Sequence, residues 1–318
     1  TVISGSVEAS YVGGFSTNNN MHNDGGFEAN GASLNIGSPL GEGDYGASYN
    51  VGLLFGGRAE AFAGSDQHLK TANIGMNLPF GNGVDLTLGL FDTTVGYEVE
   101  ASASNPNVMR SYGYQMEPLT HTGLLAATEI TEGLSVSAGL INGFDSADGE
   151  DETGHADLGY VLGADLTIPD SLGFLGGSSL YVGYVDGSDE GQGVLQSNGT
   201  TAINTDDNTL LYIGASINTP IEGLAVGIAY DDRQWGSTVE SDSVAVYATY
   251  SLSDDASISL RYDNGTIEVG TAEDSFDNLA LTLDYSIWEN VTTRFELGWE
   301  SGVGELGHSS LKSVSTTR

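Results

Sequence analysis

Cysteine is absent from this chain of 318 residues, and basic residues number only 8 against 44 acidic ones. Without cysteine, the chain cannot form disulfides, thiolate metal sites or cysteine nucleophiles. Its net charge of −36 excludes nucleic acid as a partner, because contact with phosphates requires clustered lysine and arginine.

Long apolar runs are also missing. No stretch approaches the roughly 20 consecutive apolar residues of a membrane-spanning helix. Charged residues make up only 16% of the chain, whereas an average soluble domain has about 25%. Glycine (46 residues) and small polar residues take their place. This composition suits a β-barrel whose strands alternate between lipid and water, since such strands give only a weak hydropathy signal.

Apolar and polar residues alternate with a period of two along most of the chain. This pattern predicts β-strands, because successive side chains of a strand point to opposite faces of the sheet. In the clearest segment, 278–287, Leu, Tyr and Ile alternate with Asn, Ala, Thr, Asp and Ser. Alternation alone is compatible with a soluble sandwich as well as with a barrel.

The connections between the predicted strands are of two kinds. Short ones are predicted at residues 38–43, 78–83, 131–133, 169–177, 219–223, 253–255 and 288–290. Longer, more polar ones are predicted at residues 12–25, 56–67, 92–118, 143–157, 186–207, 234–241 and 264–275. The two kinds alternate strictly, as periplasmic turns and extracellular loops do in outer-membrane barrels.

Fifteen strands are clear, and a sixteenth is weakly indicated near residues 306–316. Single-chain bacterial barrels have an even number of strands. We therefore predict an all-β fold, a transmembrane antiparallel β-barrel of about 16 strands, with residues 1–318 forming a single outer-membrane β-barrel domain.

The third long connection is the most distinctive segment. Loops of this length usually have a function, and in a barrel such a loop can fold into the lumen and narrow it. Opposed charges across a narrow aqueous gap would select solutes by charge and dipole. The candidate constriction residues are Asp92, Glu98, Glu100, Arg110 and Glu117. The alternative is an exposed loop in which Arg110 forms a structural ion pair.

Several short motifs surround this loop: Gly89-Leu90-Phe91, Gly96-Tyr97-Glu98, Arg110-Ser111, the run from Pro118 to Gly123, and Asn142-Gly143-Phe144-Asp145. With them, the sequence resembles the putative β-barrel porin 2 family of Gram-negative outer membranes. The resemblance implies a passive channel with Arg110 and His121 at or near its constriction. The sequence departs from the family pattern in its diluted early motif, Ala29-Asn30-Gly31-Ala32, and in its last residues, which lack the usual aromatic.

Charged residues in phase with polar neighbours are predicted to face the lumen. An arginine facing lipid at mid-membrane would cost roughly 2–4 kcal/mol, which favours the inward orientation. The predicted pore-lining residues of this kind are Lys70, Arg261, Arg294 and Glu296.

An acidic run lies in the next long connection, residues 143–157. Calcium favours several carboxylates close together, but the run lacks the full spacing of an EF-hand. We predict no firm metal site and no cofactor, with diffuse Ca²⁺ binding and bridging to lipopolysaccharide as a weaker possibility beside a simple solvated charge run. The candidate residues are Asp145, Asp148, Glu150, Asp151 and Glu152.

Catalytic motifs are missing from the sequence. The five histidines show no HExxH spacing, and neither a GxSxG elbow nor a phosphate-binding GxxxxGK[ST] loop occurs. We predict that the protein is not an enzyme, with a barrel-embedded hydrolase as a remote alternative.

The predicted function is an outer-membrane porin, a passive diffusion channel for small hydrophilic solutes and ions. The excess of carboxylates predicts a preference for cations. Expected partners are outer-membrane lipid, lipopolysaccharide and, by analogy with general porins, two further copies in a homotrimer. The alternative from another class is a structural or adhesive surface β-protein without channel activity.

Overall fold

A computed structural model describes residues 1–13, 26–41, 45–63, 67–145, 158–187, 192–195, 201–204, 208–236, 239–301 and 316–317. The strands are β1 (Val2–Val12), β2 (Gly26–Ser38), β3 (Ala47–Phe55), β4 (Gln67–Leu78), β5 (Val84–Asp92), β6 (Thr120–Thr131), β7 (Leu134–Asn142), β8 (Leu158–Thr167), β9 (Ser179–Gly187), β10 (Gln192–Leu195), β11 (Thr201–Asn204), β12 (Asn208–Asn218), β13 (Leu224–Trp235), β14 (Val239–Ser253), β15 (Ala256–Val269), β16 (Ala272–Trp288), β17 (Val291–Ser301) and β18 (Thr316–Thr317). The helices are α1 (Gly57–Ala63) and α2 (Tyr112–Met116), with 3₁₀ segments at Ser102–Ser104 and Asp170–Leu175. Neither α-helix has the length and apolar character that crossing a membrane requires.

A single antiparallel sheet of 16 strands contains every strand except β10 and β11, which pair only with each other. Strands follow one another around the sheet in chain order, and β9 pairs with β12. The short β18 pairs with β1 through Val7 and Glu8 and lies beside β17, so the two ends of the sheet meet there. The predicted β-barrel is confirmed. Of the predicted sixteenth strand, only residue 316 lies within the described residues.

The apolar face of the sheet points outwards. Leu281 and Phe295 are 39% and 55% exposed, whereas their neighbours Thr282 and Arg294 are 0% and 2% exposed. A soluble sandwich would bury the apolar side chains and expose the polar ones. The observed arrangement instead presents an apolar belt to hydrocarbon and encloses polar groups, as an outer-membrane barrel does.

Two predicted long connections are wrong. Strands β15 and β16 pair up to Val269 and Ala272, so residues 264–275 form a hairpin rather than a loop. Likewise β13 and β14 are joined by residues 236–238 alone, instead of by 234–241. A strand pair that extends beyond the membrane has water on its outer face, so polar residues there do not end the ladder. Short and long connections between strands therefore do not alternate strictly along the chain.

The connection between β5 and β6, residues 93–119, lies inside the barrel and is called the inner loop below. Its Val95 belongs to a buried apolar cluster with residues of β5, β7–β9 and β12–β14. Its Tyr97 ring stacks on Tyr247 of β14 with the ring centroids 4.2 Å apart. The hydrophobic core thus lies in the lumen, between the loop and the wall, and the predicted inward folding of this loop is confirmed.

Candidate functional site

The inner loop is held to the far wall by Arg294 of β17. This guanidinium binds the Asp284 carboxylate at 2.6 and 3.0 Å. It also donates to the loop carbonyls of Ser102 at 2.6 Å, Asn105 at 2.8 Å and Pro106 at 2.9 Å. Buried backbone carbonyls need donors, and the five N–H groups of one arginine supply several of them. Arg294 therefore anchors the loop.

Glu296, two residues further on the same strand, binds backbone N–H groups of the inner loop. Its carboxylate accepts from the backbone N–H of Val108 at 2.6 Å and of Met109 at 2.7 Å. The Thr282 hydroxyl donates to it at 2.5 Å, and Asn107 in turn donates to that hydroxyl at 2.7 Å. Glu296 is fully buried by these contacts.

Arg261 of β15 forms a third anchor. It pairs with Asp263 at 2.7 Å and with Glu98 of the loop at 3.3 Å. It also donates to the carbonyl of Arg110 at 3.0 Å and to that of Met109. The structure thus brings together the predicted residues Arg261 and Glu98, but in a buried cluster rather than on the open lumen.

Arg110 serves the loop itself. It donates to the carbonyls of Val108 at 2.8 Å and Glu100 at 2.6 Å, and its guanidinium carbon lies 5.2 Å from the centre of the Tyr114 ring. Burial raises the pKa of Tyr114 to about 12, although the charge of Arg110 acts in the opposite direction. Within the described residues, Arg110 forms no ion pair closer than 4.0 Å.

Glu117, near the end of the inner loop, lies beside the carboxylate of Asp231. Burial raises the pKa of Glu117 well above its ordinary value, and the neighbouring carboxylates of Asp231 and Glu98 raise it further. A Cβ on Gly96 would lie 2.2 Å from the Glu117 carboxylate, and φ at Gly96 is +107°. Only glycine fits both the backbone conformation and the close approach.

Three further predicted residues lie in the wall. Lys70 of β4 pairs with Asp92 of β5, with its ammonium 2.8 Å from the carboxylate. His121 of β6 is fully buried, and its Nε2 lies 3.0 Å from the Thr93 hydroxyl at the start of the inner loop. The His121 ring therefore lies behind the loop and has no exposure to the lumen.

Sequence reasoning missed Arg58 on α1. Its guanidinium forms two hydrogen bonds of 2.7 Å with the Glu100 carboxylate of the inner loop. It also lies 3.3 Å from the Glu8 carboxylate of β1 and donates to Ser6 at 2.9 Å. Arg58 is one of only eight basic residues and lies in a predicted long connection, so a search for cations opposite the acidic loop would have found it.

A cavity of 790 Å³ remains between the inner loop, α1 and strands β1 and β2. Its charged lining consists of four glutamates and two arginines, a formal sum of −2: Glu8, Glu28, Glu60, Glu100, Arg58 and Arg110. Of the predicted constriction and pore-lining residues, Glu100 and Arg110 are in this lining. The others hold the loop or lie in the wall.

The acidic run proposed for calcium is described only at its first residue. Asp145 accepts a hydrogen bond from the backbone N–H of Leu119 at 3.1 Å. Asp148, Glu150, Asp151 and Glu152 lie outside the described residues. Among the residues that are described, no group of three or more potential ligands could hold a metal ion.

Comparison with known proteins extends the resemblance over nearly the whole chain. The family model described as Putative beta-barrel porin-2, OmpL-like, matches residues 1–314. No curated protein matches the chain. The sequence motifs around the inner loop are therefore part of a match that also includes the strands before and after it.

Several solved structures are similar to this chain over 99% of its length. Salmonella typhi OmpF, in complex with daunomycin, has a TM-score of 0.69 at 11% identity, with 99% of this chain and 95% of that chain covered. The trimer form of in-vitro folded OmpT, an outer membrane protein of Vibrio cholerae, has 0.62 at 14%, with 99% and 96% covered. An anion-selective porin from Comamonas acidovorans has 0.61 at 12%, with 99% and 98% covered. At these identities the similarity shows the fold.

Proposed function

Because the chain belongs to the putative beta-barrel porin-2, OmpL-like, family and is an outer-membrane porin, we propose that it is a passive diffusion channel for small hydrophilic solutes and ions that prefers cations. The observation that carries this proposal is the cavity beside the inner loop, whose charged lining is predominantly acidic.

Passive diffusion is supported by the way the inner loop is anchored. Arg261, Arg294 and Glu296 bind its backbone through buried charge-assisted hydrogen bonds, which are roughly twice as strong as neutral ones. A loop held in this way narrows the lumen to an aperture of constant shape. Solutes then cross according to their size and charge, and no conformational cycle is required.

Cation preference is supported by the charged residues that line the cavity rather than by the net charge of the whole chain. Four of the 44 acidic residues line the cavity, and exposed charges separated by more than about 8–10 Å are largely screened at physiological salt. Glu28 and Glu60 are exposed and line the cavity directly. Carboxylates in a narrow mouth with low-dielectric walls concentrate cations and repel anions.

Reversal potentials in planar bilayers test the proposal. With a KCl gradient across the bilayer, the purified protein should show single-channel steps and a reversal potential of the sign that K⁺ permeation requires. A reversal potential of the opposite sign would overturn the proposed cation preference, but the proposed channel function would stand. Absence of any steps from correctly folded protein would instead favour the structural or adhesive alternative.

Assembly and surroundings are part of the same proposal. The trimer form of the Vibrio cholerae protein supports a homotrimer. The proposed surroundings of the homotrimer are outer-membrane lipid and lipopolysaccharide. Light scattering of the detergent-solubilised protein would give the number of copies. Diffuse Ca²⁺ binding at the acidic run and the absence of enzymatic activity stay predictions.

A further inference from the structure

We propose that Arg58 is a specificity-determining residue of the channel, because its charge offsets the cavity carboxylates Glu8 and Glu100 and thereby limits the preference for cations. The inference rests on the proposed channel function and adds to it the residue that sets the degree of selectivity. Arg58 lies on a helix between β3 and β4, outside the wall strands from which the loop anchors come.

The three charges form one compact cluster. Arg58 forms a bidentate pair with Glu100, with two N–O distances of 2.7 Å, and its third nitrogen lies 3.3 Å from Glu8. The side chains of Arg58, Glu8 and Glu100 are only 7%, 5% and 11% exposed. Charges buried to this degree are screened by salt much less than exposed ones, so they contribute strongly to the potential in the cavity.

Arg58 is held in position from three directions. Its backbone lies against Gly31 of β2, where an added Cβ would lie 3.1 Å from the Arg58 nitrogen and 2.2 Å from the Phe55 carbonyl oxygen. Its side chain binds Ser6 of β1 at 2.9 Å as well as Glu100 of the inner loop. The guanidinium therefore joins α1, the first strand and the inner loop at the border of the cavity.

The charge of Arg58 changes the formal charge of the cavity lining. With four glutamates and two arginines the lining carries −2, and without Arg58 it would carry −3. Glu8 and Glu100 would then lose their nearest cation. Arg110, the other arginine of the lining, already donates to the carbonyls of Val108 and Glu100. Loss of Arg58 should consequently raise the local cation concentration.

Charge and geometry can be separated with the pair Arg58→Gln and Arg58→Lys. In a low-salt KCl gradient, Arg58→Gln should raise the K⁺-to-Cl⁻ permeability ratio by about threefold or more, and Arg58→Lys should stay near the wild type. At about 1 M salt, where the Debye length is about 3 Å, the difference should shrink. A ratio unchanged in a conducting Arg58→Gln channel would overturn the inference. So would an Arg58→Lys channel that shifts as far as Arg58→Gln, because geometry would then be decisive.

Glu100→Gln tests the same cluster in the opposite direction and decides the question if Arg58→Gln does not fold. It should lower the K⁺-to-Cl⁻ ratio, whereas Glu222→Gln, which removes one carboxylate from an exposed turn, should leave the ratio unchanged. Equal ratios for Glu100→Gln and Glu222→Gln would contradict the role of the cluster. If the folded wild type itself does not conduct, the proposed channel function fails, and not merely the role of Arg58.

Discussion

Arginine is scarce in this protein, and most of the described arginines contact the inner loop. A buried loop without regular secondary structure must satisfy its backbone carbonyls and N–H groups by other means. Arginine has five donors and a carboxylate has about four acceptor sites, so a few wall residues can satisfy many loop groups. The arginines that contact the loop are Arg58, Arg110, Arg261 and Arg294.

The buried carboxyl of Glu117 makes the stability of the loop depend on pH. Its pKa is raised by burial and by Asp231 and Glu98, so the folded protein holds a proton that the unfolded chain releases above its ordinary pKa of 4.5. The stabilisation is complete below that pKa and is lost as the pH rises through the raised value. We expect the melting temperature of the detergent-solubilised protein to be higher at about pH 5 than at about pH 8.

Glu117→Gln provides the matched comparison, because glutamine has nearly the shape of the protonated acid and cannot ionise. The variant should lose part of the difference in melting temperature between the two pH values. Retention of the full wild-type difference would assign the pH dependence to other groups.

At the scale of elements, the inner loop is attached to the wall close to where the two ends of the sheet meet. Arg261, Arg294 and Glu296 hold it on the side of β15 and β17, and Arg58 holds it on the side of β1. Tyr97 packs against Tyr247 of β14, and Val95 packs in a cluster with residues of β5, β7–β9 and β12–β14. The position of the aperture follows from this attachment, since the loop occupies one side and leaves the cavity on the other.

Removing one anchor should release part of the loop. In Glu296→Gln, one carboxylate oxygen becomes an NH₂ group that faces the N–H group of either Val108 or Met109, so two donors oppose each other. Loss of hydrogen bonds to a charged group costs about 1.5–3 kcal/mol. We expect urea titrations to show a free energy of unfolding that is lower by this amount. Single-channel recordings should show noisier and larger conductance steps. The control variant Glu289→Gln, in an exposed turn, should change neither the free energy of unfolding nor the single-channel steps. If Glu296→Gln also left both unchanged, the anchor would be dispensable.

At the scale of the whole molecule, the fold has its apolar surface on the outside and a polar, partly charged interior. Leu279, Leu281 and Leu283 are 40%, 39% and 43% exposed, although they form the cleanest apolar face in the sequence. Their stabilising environment is therefore hydrocarbon, and the free energy of folding depends on the bilayer.

Leu281→Arg measures that dependence. An arginine on the lipid face near mid-membrane costs roughly 2–4 kcal/mol, whereas a water-exposed substitution usually stays within about 0.5 kcal/mol. Urea titrations of the protein folded into lipid vesicles should show the larger loss. Leu281→Ala is the control, because it removes the apolar contact without adding a charge. An Arg variant as stable as the Ala variant would place this face in water.

Local spacing was enough to predict fifteen strands and which of their residues share a face. The outward direction of the apolar face was predicted from the pattern of connections, and the inward folding of the third long connection from its length. The phase of a strand depends on neighbouring residues alone, so Leu281 and Thr282 could be assigned to opposite faces from their order in the chain. The polarity of residues 264–275 led to the wrong prediction of a loop. A strand pair outside the membrane is solvated on its outer face, so its polar residues still pair.

The contacts across the lumen depended on the tertiary structure. Arg58 lies 42 positions from Glu100, and Val108 lies 188 from Glu296, so no local pattern links these partners. Arg261, Arg294 and Glu296 face inwards as their phase indicates, but only the path of the inner loop turns them into anchors. The same path leaves the cavity beside α1, where Arg58 lies opposite the carboxylates.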